Sequence, residues 1–268
     1  MLKTRTRISQ TWERLKQENK RALIPYITAG DPSLETTRQL IFGLEQAGAD
    51  MIEVGMPFSD PMADGPTIQK ASERALASKV SLKSVLGMVK EVRKKTEIPI
   101  ILFGYYNPFF IYGTKRLAFD AHEAGVDGIL VVDLPPEEAD ELKVFTDQAG
   151  LNLIFLLAPT STEERIRLIA SKASGFIYYV SVTGVTGARS TLDKDIKRYV
   201  KKIRKFSSLP VGVGFGISTP DQVNRVMRFA DAVIVGSALI KVIEANIKSP
   251  YLVQRAKKFI WELKQAMS

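Results

Sequence analysis

The feature that most restricts the fold is an alternation of eight short apolar runs with longer amphipathic stretches. The runs are Ala22 to Thr28, Met51 to Gly55, Pro99 to Gly104, Gly128 to Val132, Leu153 to Ala158, Phe176 to Val180, Val211 to Gly214 and Ala232 to Val235. They are apolar at nearly every position, as strands of a parallel sheet must be when both faces are covered. Helical periodicity occupies Leu34 to Ala47, Pro136 to Ala149, Thr162 to Ala173, Leu192 to Phe206 and Thr219 to Arg228. Extra helices are expected at Thr11 to Lys20, Leu82 to Lys95 and Pro250 to Met267. The junctions Ala47-Gly48-Ala49-Asp50, Ala124-Gly125-Val126-Asp127 and Ala149-Gly150-Leu151-Asn152 each place glycine where a helix ends in a left-handed turn. An open, doubly wound sheet would carry the same junctions. The number of strands favours an α/β fold of the (β/α)8 TIM-barrel type with extra helices, for which 268 residues is an ordinary length. With no Ser/Gly-rich or Pro-rich linker, a single domain over 1–268 is expected.

Composition removes several chemistries. There is no Cys and one His, His122, so disulfides, thiolate metal sites, Cys nucleophiles and a His-built metal centre are not expected. His122 falls near the end of a predicted helix and reads as structural. No apolar run is long enough to span a bilayer, and the first twenty residues lack the apolar core of a secretory signal, so a cytoplasmic location is expected. A net charge of +9 is compatible with a nucleic acid, an acidic protein or a phosphorylated substrate and does not choose among them.

In such a barrel the active site lies at the carboxyl ends of the strands. Strand alternation sends Ile52 and Val54 to one side and Glu53 to the other, so Glu53 points into the barrel mouth if the apolar pair packs under the outer helices. There it is either an acid–base group or a carboxylate paired with a neighbouring barrel residue. Asp60 and Asp64 follow on a Pro/Gly-rich loop and read either as aimed carboxylates or as turn or capping residues of a helix opening near Pro66. Ser181 to Arg189, rich in Gly and Thr, suits a mobile lid. Gly212 to Gly216, together with Gly236 and Ser237, suits the phosphate site that barrels build after their last two strands. The predicted strands contain no Lys for a Schiff base. General acid–base chemistry by carboxylates is what remains.

The blocks Pro25-Tyr-Ile-Thr-Ala-Gly-Asp-Pro32, Glu53 to Gln69, Tyr105-Tyr-Asn-Pro108, Asp133-Leu-Pro-Pro136, the lid loop and Gly214-Phe-Gly-Ile-Ser218 resemble the alpha subunit of tryptophan synthase from end to end. The resemblance implies a cofactor-free lyase of tryptophan biosynthesis that cleaves indole-3-glycerol phosphate to indole and glyceraldehyde 3-phosphate. It implies Glu53 as the acid–base at indole C3 and the glycerol hydroxyl, and Asp64 at the indole N–H. By the same resemblance Tyr26, Tyr105 and Tyr178 surround the indole, Thr186 folds over Asp64, and Gly187, Phe215, Gly216, Gly236 and Ser237 hold the phosphate. It also implies a pyridoxal-phosphate-dependent beta subunit as partner, in an alpha2beta2 heterotetramer, with Pro57, Asp60, Asn107 and Pro135 in the interface region. Val182 departs from the family pattern, in which some members carry a basic lid residue.

Two alternatives stay in the same family: a chain that mainly activates its beta subunit, and a free-standing indole-3-glycerol phosphate lyase. A third, nucleic-acid binding, rests on Lys194, Lys197, Arg198, Lys201, Lys202, Arg204 and Lys205. Their spacing fits the solvated face of a barrel helix better, so neither nucleic acid nor membrane is expected as a partner.

Overall fold

The computed structural model describes residues 5–180, 189–214 and 216–267. Eight parallel strands close into a barrel in sequence order: β1 (Ala22–Thr28), β2 (Ile52–Gly55), β3 (Ile100–Gly104), β4 (Gly128–Val131), β5 (Asn152–Leu157), β6 (Ile177–Val180), β7 (Val211–Gly214) and β8 (Ala232–Val235), with β8 pairing back onto β1. The helices among the described residues are α1 (Arg7–Gln17), α2 (Leu34–Gln46), α3 (Pro66–Ala77), α4 (Leu82–Arg93), α5 (Tyr106–Tyr112), α6 (Thr114–Ala124), α7 (Asp140–Ala149), α8 (Glu163–Lys172), α9 (Arg189–Arg204), α10 (Pro220–Val226), α11 (Ser237–Glu244) and α12 (Leu252–Gln265). None of these is long and apolar enough to cross a membrane.

Strand periodicity partitions the core. Outward residues such as Ile52, Val54, Ile100 and Leu102 pack beneath the helices. Inward residues including Ile24, Ile101, Leu130, Ile154 and Ile234 fill the barrel, and α1 closes its lower end with Ile8 and Leu15. The anticipated junction glycines Gly48, Gly125 and Gly150 hold φ of 94°, 88° and 75°, which only a residue without Cβ adopts cheaply.

At the amino ends of the strands, carboxylates are paired. Asp50 accepts the Leu23 N–H (2.9 Å) and is bridged by Arg14 and Lys264. Asp127 accepts the Ile100 N–H (2.8 Å) and is bridged by Arg7 and Arg93. This is the end of a barrel where polar residues stabilise rather than react.

Several boundaries differ from expectation. α1 covers Arg7–Gln17 rather than Thr11 to Lys20, because Thr6 caps it by accepting the Ser9 N–H. α7 starts at Asp140 rather than Pro136, since residues 136–139 form turns closed by Glu138 N–H to Pro135 O and Ala139 N–H to Pro136 O. The short helices α5 and α11 were not anticipated: seven and eight residues carry little periodic signal, and neither has the side-chain cap that marks the equally short α10 at Thr219.

Candidate active site

Glu53 projects into the barrel as the alternation requires, 1% exposed, and its Oε1 has no hydrogen-bond partner. The alternative of a carboxylate paired with a barrel neighbour therefore fails. Without a counter-charge, burial pushes Glu53 up from an ordinary 4.5 to about 8. Asp64 hangs from the β2–α3 loop. The Asp64 N–H donates to Pro61 O (3.0 Å), while the Ala63 N–H donates to Tyr105 Oη (2.9 Å). Its carboxylate is not a helix cap, because Gly65 occupies the N-cap of α3 without a side-chain bond. Burial raises Asp64 to about 6, and a hydrogen bond from Tyr105 works in the opposite direction. Near neutrality Glu53 therefore holds its proton while Asp64 has lost its own.

Both carboxylates line one cavity of about 810 Å³ at the carboxyl ends of the strands. That is within the range of small-molecule sites. Tyr26 and Tyr178 form part of its wall, and burial holds both phenols well above their usual ionisation range. Their hydroxyls occupy space released by glycine: a Cβ on Gly55 would lie 2.0 Å from Tyr26 Oη, and one on Gly214 2.3 Å from Tyr178 Oη. Tyr105 is outside the cavity wall and acts on it through Asp64, with its ring packed 5.3 Å from Phe58.

Gly216, Gly236 and Ser237 line the same cavity. Gly216 has φ of 72°, and α11 opens at Ser237 behind Gly236 with no side-chain cap, leaving its first N–H groups available to an anion. Thr186, Gly187, Phe215 and the departing Val182 lie outside the described residues, as does most of the lid loop.

Sequence reasoning missed several cavity residues. Phe103, Leu156 and Ile234 share the inward register of Glu53 on their own strands, and counting alternate positions would have found them. Lys241 stands one helical turn beyond Ser237 in α11 and forms no ion pair among the described residues; the i, i+4 spacing was its signal.

Of the residues assigned to a partner interface, Asp60, Asn107 and Pro135 are exposed on the rim. Pro57 is buried beneath it. The reason is local: the preceding Met56 N–H still donates to Phe103 O (2.7 Å), holding the chain against the sheet. The same rim exposes Met62, Phe110 and Ile111, which are apolar and had not been singled out.

The family model for the tryptophan synthase alpha chain matches residues 12–268. The chain belongs to the tryptophan synthase alpha chain family. It is 57% identical over 259 residues to the tryptophan synthase alpha chain of Geotalea uraniireducens, covering 97% of each chain. Among solved structures it resembles tryptophan synthase subunit alpha from Legionella pneumophila, with a TM-score of 0.92 at 44% identity and 98% coverage of both chains. It also resembles a chain of a tryptophan synthase complex from Pyrococcus furiosus, with a TM-score of 0.83 at 37% identity, covering 92% of this chain and 99% of that one. The alpha chain resemblance drawn from the motif blocks thus extends over nearly the whole sequence, and the barrel expected from the eight apolar runs is the one observed.

Proposed function

We propose that this alpha chain cleaves indole-3-glycerol phosphate, with Glu53 and Asp64 as its catalytic carboxylates. The observation that carries the assignment is that two carboxylates line one cavity in unlike settings, Glu53 buried with an unpartnered Oε1 and Asp64 on a loop beside Tyr105, so that burial raises Glu53 to about 8 and Asp64 only to about 6. Glu53 first donates its proton to indole C3, which places positive charge on the ring nitrogen. Asp64, already a carboxylate, stabilises that charge from the N–H side. The bond from C3 to the glycerol carbon then breaks, its electrons restoring the aromatic indole. Glu53, now a carboxylate, takes the proton of the glycerol hydroxyl as it becomes the aldehyde of glyceraldehyde 3-phosphate. The proton given to C3 leaves with the indole and the hydroxyl proton replaces it on Glu53, so Glu53 ends the cycle protonated as it began. A resting acid with a raised pKa suits this order of donation before acceptance. The apolar walls Phe103, Leu156 and Ile234 suit the indole, and the α11 amino end with Lys241 suits the phosphate.

The released indole is apolar, and the exposed rim residues Met62, Phe110 and Ile111 around the cavity mouth support docking of a beta subunit there. A cytoplasmic location fits that role.

The test is the pH dependence of kcat/KM, which reports the free enzyme's groups. It should rise through about 6 as Asp64 ionises and fall through about 8 as Glu53 loses the proton it must donate. The substrate phosphate titrates at about the same pH as Asp64, so Asp64→Asn decides whose acid limb is seen. Glu53→Gln should lower turnover by ~10²- to 10⁴-fold and abolish the alkaline limb. Turnover close to that of the parent would remove Glu53 from its role.

A further inference from the structure

We propose that Arg74 is a positioning residue that sets the registration between the two ends of the active site, with α3 as the strut it anchors. The inference rests on the lyase reading above. α3 begins two residues after Asp64 and packs along both β1 and α11, the helix whose amino end lines the cavity. Its twelve residues form a rod of about 18 Å. One end thus follows the carboxylate at the indole side, and the other meets the carboxyl end of α11, whose amino end lines the phosphate side.

Arg74, in the last turn of α3, makes the attachment. Its Nε and Nη2 donate to the two carboxylate oxygens of Asp31 at 2.8 Å each, and its Nη1 donates to Glu244 at 2.9 Å. Asp31 is fully buried, so this fork is its counter-charge, and the planar geometry fixes direction as well as distance. Asp31 belongs to the loop after β1, which is itself held. The Asp31 N–H donates to Thr28 O (3.2 Å) and the Gly30 N–H to Thr37 Oγ1 (2.9 Å). At Gly30, with φ of 87°, a Cβ would lie 2.3 Å from Val80 Cγ2. Glu244 closes α11, where the helix dipole disfavours a carboxylate; the Arg74 guanidinium offsets that placement. One side chain therefore joins the β1 loop, the helix leaving Asp64 and the helix that starts at Ser237.

A strut of this kind contributes little to binding either half of the substrate and much to holding both halves in one reactive geometry. The experiment uses the chain with its cognate beta subunit and compares the parent with Arg74→Met, Arg74→Lys and Glu244→Gln. Read out are kcat/KM for indole-3-glycerol phosphate and the separate affinities for glycerol phosphate and indole. Arg74→Met should lose at least ~10-fold in kcat/KM, with each fragment binding within about threefold of the parent. Arg74→Lys should recover part of the loss. Glu244→Gln, which removes only the α11 arm, should show a smaller loss of the same pattern, and it carries the test if Arg74→Met fails to fold. A kcat/KM within about twofold of a competent parent overturns the inference, as does a parallel loss of fragment binding, which would mean a collapsed subsite. An inactive parent would count instead against the lyase reading.

Discussion

Glu53 is flanked in β2 by Ile52 and Val54, whose burial favours the fold, yet its own burial works against it. Its pKa is raised to about 8 in the folded chain against an ordinary 4.5. Between those values the native state keeps a proton that the unfolded state has released, so stability falls as pH rises through that window and the full penalty is present above it. Glu53→Gln has no such group. The variant should be stabilised relative to the parent at about pH 9 and show much less difference at about pH 4. Urea unfolding of both proteins at the two pH values measures this, and an equal difference at both would contradict the burial of an unpaired carboxylate. The same substitution is expected to destroy turnover, so Glu53 is a position where function is kept at the expense of stability. Asp50 and Asp127, paired at the opposite end of the barrel, show how a buried carboxylate is treated when it only has to stabilise.

Among the elements, the helices that open directly beneath cavity residues matter most. α11 is short and follows β8 with Gly236 alone between them, which aims its amino end at the cavity. Gly236 does not require glycine for backbone reasons, since its φ is −109°, and a Cβ there would make only ordinary contact, 3.6 Å from Tyr26 Cβ. Gly236→Ala should therefore fold with near-parent stability while weakening glycerol phosphate binding, because the methyl group occupies space an anion needs to reach the amides. Calorimetric titration with glycerol phosphate checks this; unchanged affinity would move the anion site elsewhere. The junction glycines of α2, α6 and α7 were legible because left-handed helix ends select glycine in sequence. α5 and α11 were not, because so few residues are made helical by packing rather than by periodicity.

For the whole molecule, the proposed docking of a beta subunit concerns the rim. Asp60, Asn107 and Pro135 stand exposed around a cavity mouth that also exposes Met62, Phe110 and Ile111. Mixing the chain with a cognate beta subunit should yield a complex at micromolar concentration and faster indole release. Asp60→Ala should weaken both effects together if loop ordering and docking share one equilibrium. Complex formation followed by analytical ultracentrifugation, alongside turnover, tests the coupling. No complex and no change in turnover would leave a free-standing lyase.

The sequence by itself determined the barrel, because eight apolar runs with glycine-ended helices between them satisfy few other arrangements. It also determined that Glu53 faces inward, since alternation along a strand is a property of local geometry. Whether Glu53 was paired, whether Asp64 capped a helix and how far Pro57 is buried were left open, because each depends on contacts between distant segments. Tertiary structure decided them: the barrel interior sets Glu53 opposite Tyr26 of β1 and Ile101 of β3 with no counter-charge, Gly65 takes the cap that Asp64 was free to occupy, and β3 holds the chain leaving β2 so that Pro57 stays buried. The Arg74 clamp belongs to the same class, joining residues 31, 74 and 244. Periodicity reports which way a side chain points; only the assembled chain shows what it meets there.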